Sequence, residues 1–124
     1  MRQFRTLKVW QKSHTLTLLV YHSTKLFPRE ERFGLTSKLR RSAASIPSNI
    51  AEGCGRKSDK EFLRFLEIAL SSGYETEYQV LLAYELEYID ESRYQRIAAQ
   101  TVEVNKMLNR FITKLSYKIK NPNR

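Results

Sequence analysis

Residues Phe33–Gly55 read F-G-L-T-S-K-L-R-R-S-A-A-S-I-P-S-N-I-A-E-G-C-G, and this stretch decides the fold. Leu35, Leu39, Ala43, Ile46 and Ile50 recur at intervals of three and four, the repeat of one helix face. Around that row stand small residues: Ser42, Ala44, Ser45, Ser48 and Ala51. A helix so lean in side-chain volume lets neighbours approach closely, so it is expected to be the central element against which bulkier helices pack. Pro47 lies inside it. Proline there removes one amide donor, crowds the carbonyl of Ala43 and costs about 3 kcal/mol if nothing compensates. Ser45 and Ser48 carry hydroxyls to satisfy freed backbone groups. The apolar row continues to Ile50, which favours a helix kinked near Pro47; the alternative is a pair of short broken helices. The helix is expected to run from Glu31 or Arg32 to about Cys54, where Gly53 and Gly55 supply a left-handed stop.

Outward from this stretch, three more helices follow. The first is expected from Thr6, as its cap, to about Phe27, where Pro28 ends it. Val9, Leu16, Val20 and Phe27 form one face with Leu19 and Leu26 beside it, and Trp10, His14, Thr17 and Tyr21 form a second. Ser58-Asp59-Lys60-Glu61 is a capping box that opens a long third helix to about Leu86. Its main face is Phe62, Phe65, Leu66, Ala69, Gly73, Thr76, Val80 and Ala83; Leu63, Leu70, Tyr74, Leu81 and Tyr88 mark a second face. Gly73 costs up to about 1 kcal/mol against alanine in a helix, which close approach of another helix would offset. Asp90 caps the fourth helix, whose stripe of Tyr94, Ile97, Thr101, Val104, Leu108, Phe111 and Leu115 is a heptad seam. Short links between four long helices predict an all-α, antiparallel up-and-down four-helix bundle forming a single domain over residues 1–124, with a frayed tail at about 120–124.

Composition agrees. The chain has 124 residues, 41% hydrophobic, with only four glycines and three prolines, too few turn residues for a sandwich or barrel. A single cysteine, Cys54, excludes an internal disulfide, and neither a membrane-spanning run nor a signal-peptide pattern is evident, so a cytoplasmic location is expected.

The net charge of +9 is polarised. Residues 1–62 carry 13 Lys and Arg against 5 acids, and residues 63–124 carry 9 against 8. Between Arg64 and Arg93 stand 7 acids and no base, and from Lys106 onward 6 bases and no acid. Such polarity points to a polyanionic partner, or to acid–base pairing between subunits. Lys106, Arg110, Lys114 and Lys118 recur every fourth residue as one ridge, which suits phosphate tracking or a solvated face near the helix carbonyl end. Lys38, Arg40 and Arg41, with Arg56, Lys57, Lys60 and Arg64 at the next turn, form a second basic cluster, of which Lys38, Arg40, Arg41, Arg56 and Lys57 are expected to contact nucleic acid. Arg40 or Arg41 alternatively pairs with Glu52 or an acid of the third helix. Tyr74 and its neighbouring tyrosines lie on the acidic helix, which repels nucleic acid, so core or subunit interface suits them better than base stacking. Trp10, Tyr21 and Tyr74 are the residues expected between subunits.

Catalytic and metal readings find little. The two histidines, His14 and His22, lack the Glu-x-x-His spacing of a di-metal helical bundle. No arginine precedes either at the spacing of small helical RNases, and Cys54 has no nearby histidine. No cofactor, metal or catalytic residue is assigned, and the chain is read as non-enzymatic.

Four segments carry a family resemblance: L-K-V-W-Q-K (Leu7–Lys12), F-P-R-E-E-R-F-G-L-T-S-K-L-R-R (Phe27–Arg41), S-I-P-S-N-I-A-E-G (Ser45–Gly53) and F-L-R-F-L-E-I-A (Phe62–Ala69). In this order they resemble the four-helix proteins encoded in intervening sequences of bacterial 23S ribosomal RNA genes. That family also looks similar to the accessory variability protein of diversity-generating retroelements, a basic pentamer that binds a reverse transcriptase and nucleic acid. The resemblance implies a four-helix protomer, a homopentamer and no known catalysis. Ser71-Ser72-Gly73 departs mildly from the Gly-Ser order the family leads one to expect, which touches helix packing more than function. The function expected is a homo-oligomer that binds RNA or DNA through its basic surfaces. The alternative is a protein-interaction scaffold, for example for a reverse transcriptase or a ribosome-associated partner.

Overall fold

The computed structural model describes residues 2–123. Four helices make up almost all of it: α1 (Lys8–Thr24), α2 (Leu35–Cys54), α3 (Asp59–Glu85) and α4 (Glu91–Lys120). Short 3-10 turns stand at Phe4–Thr6 and Arg29–Glu31. Each helix packs closely on its two neighbours in the cyclic order α1, α2, α3, α4. The result is a four-helix bundle whose cross-helix partners pair rising numbers on one helix with falling numbers on the next: Thr17 with Ala43 and Thr24 with Arg40, Ser42 with Thr76 and Ser45 with Ser72, Tyr74 with Asn109 and Tyr84 with Tyr94, Lys12 with Glu103 and Ser23 with Arg93.

The row on α2 is its buried spine: Leu35, Leu39, Ala43, Ile46 and Ile50 all lie in the core. Phe62, Leu66, Ala69, Val80 and Ala83 of α3 meet them, with Ile97, Val104, Leu108 and Leu115 of α4 and Val9, Leu16, Leu19 and Val20 of α1. Leu26, expected beside that first-helix face, is 79% exposed instead, because α1 stops at Thr24 and the chain turns Phe27 inward against Tyr88.

Helix α2 runs unbroken through Pro47. The carbonyl that loses its amide partner is that of Ala43, four residues back. The compensating donor is not Ser45 or Ser48 but Thr17 of α1, whose hydroxyl lies 2.9 Å from the Ala43 carbonyl oxygen in the buried α1–α2 seam. A tertiary contact thus satisfies what the proline leaves open. Ser45 is turned the other way, 2.9 Å from the Ser72 hydroxyl of α3. Beside it, Thr76 donates to the Ser42 oxygen at 2.9 Å, and Ser42 donates to Gln79 at 2.8 Å, so small polar residues stitch α2 to α3 within the core.

Glycines act here by what they lack. Neither Gly53 nor Gly55 takes a left-handed conformation, since Gly55 has φ −82° and no glycine has positive φ. Gly53 serves close approach: a Cβ there would stand 2.8 Å from Phe65 Cβ and 2.9 Å from Phe62 Cδ1. Gly73 likewise admits the Asn105 side chain of α4, whose Cγ would lie 2.9 Å from an added Cβ. The left-handed residue falls after α3, at Glu87 with φ 64°. There the Tyr88 amide reaches the Ala83 carbonyl and the Glu87 amide reaches the Tyr84 carbonyl, both at 2.9 Å, a Schellman ending built on a non-glycine residue.

The helix starts follow side-chain capping. Ser58 accepts from the Glu61 amide at 3.1 Å and Asp90 from the Arg93 amide at 2.8 Å, as the sequence predicts. Thr6 does not cap α1; its hydroxyl donates to the Gln3 carbonyl and the helix begins two residues later. Helix α2 begins at Leu35, later than Glu31 or Arg32, because Glu31 sits in the preceding turn and its carboxylate accepts the Leu35 amide at 3.1 Å. The Tyr88 hydroxyl donates to the same carboxylate at 2.8 Å, tying the α3–α4 link to the start of α2. At the other end α4 continues through Lys120, and the Asn121 amide bonds the Tyr117 carbonyl; of the expected frayed tail, Arg124 lies outside the described residues.

Candidate nucleic-acid interface

Two basic surfaces emerge from this frame. The first lies on the outer face of α4. The helical repeat that buries Val104, Leu108 and Leu115 turns Lys106, Arg110, Lys114 and Lys118 outward, all exposed. Lys106, Arg110 and Lys114 have no carboxylate within ion-pair distance among the described residues. Lys118 departs from the ridge: its Nζ lies 3.2 Å from Asp59, which Arg2 also binds. These two cations, Lys118 first, hold the Asp59 carboxyl below the usual aspartate range. Between the ridge and α1 runs a shallow groove of about 420 Å³, floored by Met107 and Phe111 and edged by Lys12, Arg110 and Lys114. Lys12 is paired with Glu103 at 3.1 Å.

The second surface is the outer side of α2. Lys38 and Arg41 are exposed and without a carboxylate partner among the described residues. Arg40 pairs neither with Glu52 nor with an acid of α3. Its Nε donates to the Thr24 hydroxyl at 2.7 Å, and its guanidinium stands 5.0 Å from the Tyr21 ring centre, so it fastens the end of α1 to α2. Arg56 pairs with Glu52 at 2.9 Å and lies over the Phe65 ring, while Lys57 is exposed in the α2–α3 link. Of the nine basic residues expected to contact nucleic acid, Lys38, Arg41, Lys57, Lys106, Arg110 and Lys114 have no side-chain partner among the described residues, while Arg40, Arg56 and Lys118 are engaged.

The α2 surface is concave. Tyr21, Phe33, Arg41, Ala44, Ser48 and Asn49 line a groove of about 690 Å³ that no helix of this chain fills. The small residues expected to admit a neighbouring helix are thus split: Ser42 is buried against α3, Ala44 and Ser48 border open groove, and Ser45 borders it too while bonding Ser72. Phe33 at its rim is 88% exposed.

Of the three residues expected between subunits, Trp10 is half-buried in its own chain, edge-on to Phe4 and stacked on His14 with ring centres 4.9 Å apart. Tyr21 and Tyr74 are exposed, and the Tyr74 hydroxyl accepts from Asn109 at 3.1 Å. Among the described residues no group of three His, Cys, Asp or Glu side chains converges as a metal site, and no helix is long and apolar enough to cross a membrane. Cys54 is buried, which raises its thiol pKa and keeps it in the less nucleophilic protonated form. Sequence reasoning missed two buried amides, Gln79 and Asn105, since single polar residues inside apolar stripes give no pattern of their own.

The family model described as 23S rRNA-intervening sequence protein matches residues 5–110. The chain belongs to that family. A crystal structure at 1.70 Å of a protein of unknown function from the S23 ribosomal protein family of Bacteroides thetaiotaomicron VPI-5482 is 31% identical, with a TM-score of 0.76. The match covers 84% of this chain and 97% of that one. No curated protein matches the chain. The family membership and the bundle agree with each other; both surfaces described above belong to this chain's own residues.

Proposed function

We propose that this family member is a non-enzymatic, cytoplasmic homo-oligomer, a pentamer by the resemblance of its sequence, that binds RNA or another nucleic acid through basic surface. The observation that carries the reading is the α4 ridge: Lys106, Arg110 and Lys114 stand exposed along one helix face with no carboxylate partner, beside a shallow groove. Successive ridge residues rise about 6 Å per step, close to the spacing of phosphates along an extended strand. Cations so placed release condensed counterions when they meet phosphate. Filter binding to a single-stranded RNA across a salt series tests this. Affinity falls steeply with salt, and replacing the three ridge residues by alanine lowers the log–log slope by about 2. Absence of binding at low salt, or an unchanged slope, overturns the reading.

The second reading is a scaffold for a protein partner, such as a reverse transcriptase or a ribosome-associated protein. It is favoured by exposed apolar residues away from the ridge, Leu26 at 79% and Phe33 at 88%. Capture of one defined protein that survives nuclease treatment, together with no salt-dependent RNA binding, would select it.

A further inference from the structure

We infer that the open groove of α2 receives the acidic, tyrosine-bearing face of α3 from a second copy of this chain. The inference rests on the homo-oligomeric reading above and assigns its contact surfaces.

Both faces are left incomplete within one chain. Arg32 just before α2, and Lys38 and Arg41 on it, have no carboxylate within ion-pair distance among the described residues, and the groove beside them is bordered by the small residues Ala44 and Ser48. On α3, none of Glu67, Glu75, Glu77 and Glu85 forms an ion pair among the described residues, and Tyr74 and Tyr78 project among them, 52% and 61% exposed. In the register that α2 and α3 share within one chain, Tyr74 comes level with Ala44, so a bulky side chain meets a small site there. Lean surface faces bulky surface, and basic faces acidic.

Register supplies the stronger argument. Within one chain, Ser45 stands level with Ser72, Ser42 with Thr76 and Gln79, and Gly53 with Phe65. Copies related by rotation about an axis parallel to the helices keep their levels. The partner copy's α3 therefore approaches α2 antiparallel and at these same heights. That alignment brings Arg32 to the level of Glu85, and Arg41 to the level of Glu75 and Tyr78. At the far end the same register sets Glu52 level with Glu67 and Arg56 level with Arg64, like beside like, so the charge match belongs to the Arg32–Arg41 end of the groove; Glu52 and Arg56 are paired with each other within the chain. At Arg32 and Arg41 opposite charges thus match with no adjustment of height. The two faces belong to neighbouring corners of a four-cornered bundle, which look out at roughly a right angle by the cyclic order of the helices. A head-to-tail contact between faces so disposed turns at each step and closes a ring of about four or five copies. One consequence separates the two basic clusters: the α2 cluster serves assembly, and the α4 ridge stays free for a polyanion.

The test is a charge swap read by light scattering on the full chain. Arg41→Glu and Glu75→Arg each place like charges in every subunit contact, and each raises the concentration for half-assembly by about tenfold or more. The double variant Arg41→Glu/Glu75→Arg restores an opposite pair in every contact and recovers the wild-type mass. Arg32→Glu with Glu85→Arg is an independent second pair, and circular dichroism establishes that each variant is folded. Wild-type mass in the folded single variants of both pairs, or no recovery in either double variant, overturns the face assignment while leaving the homo-oligomer standing. A wild-type chain that stays at 14.7 kDa at all concentrations overturns the homo-oligomeric reading itself.

Discussion

Replacing Thr17 with valine keeps the shape of the side chain and removes one hydroxyl. The Ser13 carbonyl, which that hydroxyl also approaches at 3.0 Å, already has the helical amide of residue 17 as donor. The Ala43 carbonyl has no such reserve, because residue 47 is proline. Ala43 is fully buried and Thr17 nearly so, which leaves no route for water to take the hydroxyl's place. A buried carbonyl stripped of its donor costs about 1–3 kcal/mol, and the added methyl returns part of that, for a net loss of about 1–2 kcal/mol. With a urea slope of about 1–3 kcal/mol/M, the midpoint falls by about 0.3–2 M at unchanged slope. Pro47→Ala restores an amide aimed at the same carbonyl. On that background Thr17→Val is expected to cost under about 0.5 kcal/mol, so the cycle shows a coupling of about 1 kcal/mol. All four proteins are compared at one protomer concentration, since assembly adds a mass-action term. An equal cost of Thr17→Val on both backgrounds, or none on the wild type, refutes the assignment of Thr17 as the proline's compensating donor.

Gly73→Ala is expected to destabilise by about 1–3 kcal/mol despite alanine's better helix propensity, because the new Cβ meets the Asn105 side chain. Thermal melts of Gly73→Ala with and without Asn105→Ala check this, and the second change removes most of the penalty of the first. Asp59, held below its ordinary pKa by Lys118 and Arg2, contributes stability that is present above about pH 4 and is lost as the pH falls below that through its lowered folded value. The stability gap between wild type and Asp59→Asn is therefore constant near neutrality and closes in acid, with a small amplitude because both cations are partly solvated. Urea titrations at stepped pH read that gap.

The fold was legible because burial repeats along each helix. Three-and-four spacing named the spine of α2 and the seam of α4, and Ser58 and Asp90 marked two helix starts, since capping acts over only three residues. The site was legible only by charge. A basic residue shows in the sequence whether or not it is engaged, so Arg40 and Lys106 look alike there. In the fold one fastens α1 to α2 and the other stands free.

By itself, then, the sequence determined what depends on neighbours within a turn or two: the helices, their apolar faces, the caps and the polarised charge. The tertiary structure alone decided which long-range partner satisfied each local deficit. Thr17 answers Pro47 from another helix, Asn105 occupies the space Gly73 leaves, and Glu31 delays the start of α2 while bonding Tyr88. Nothing local encodes those pairs, because hydrogen bonding and packing act at contact distance, and only the folded bundle brings residues 26, 32 or 57 positions apart into contact.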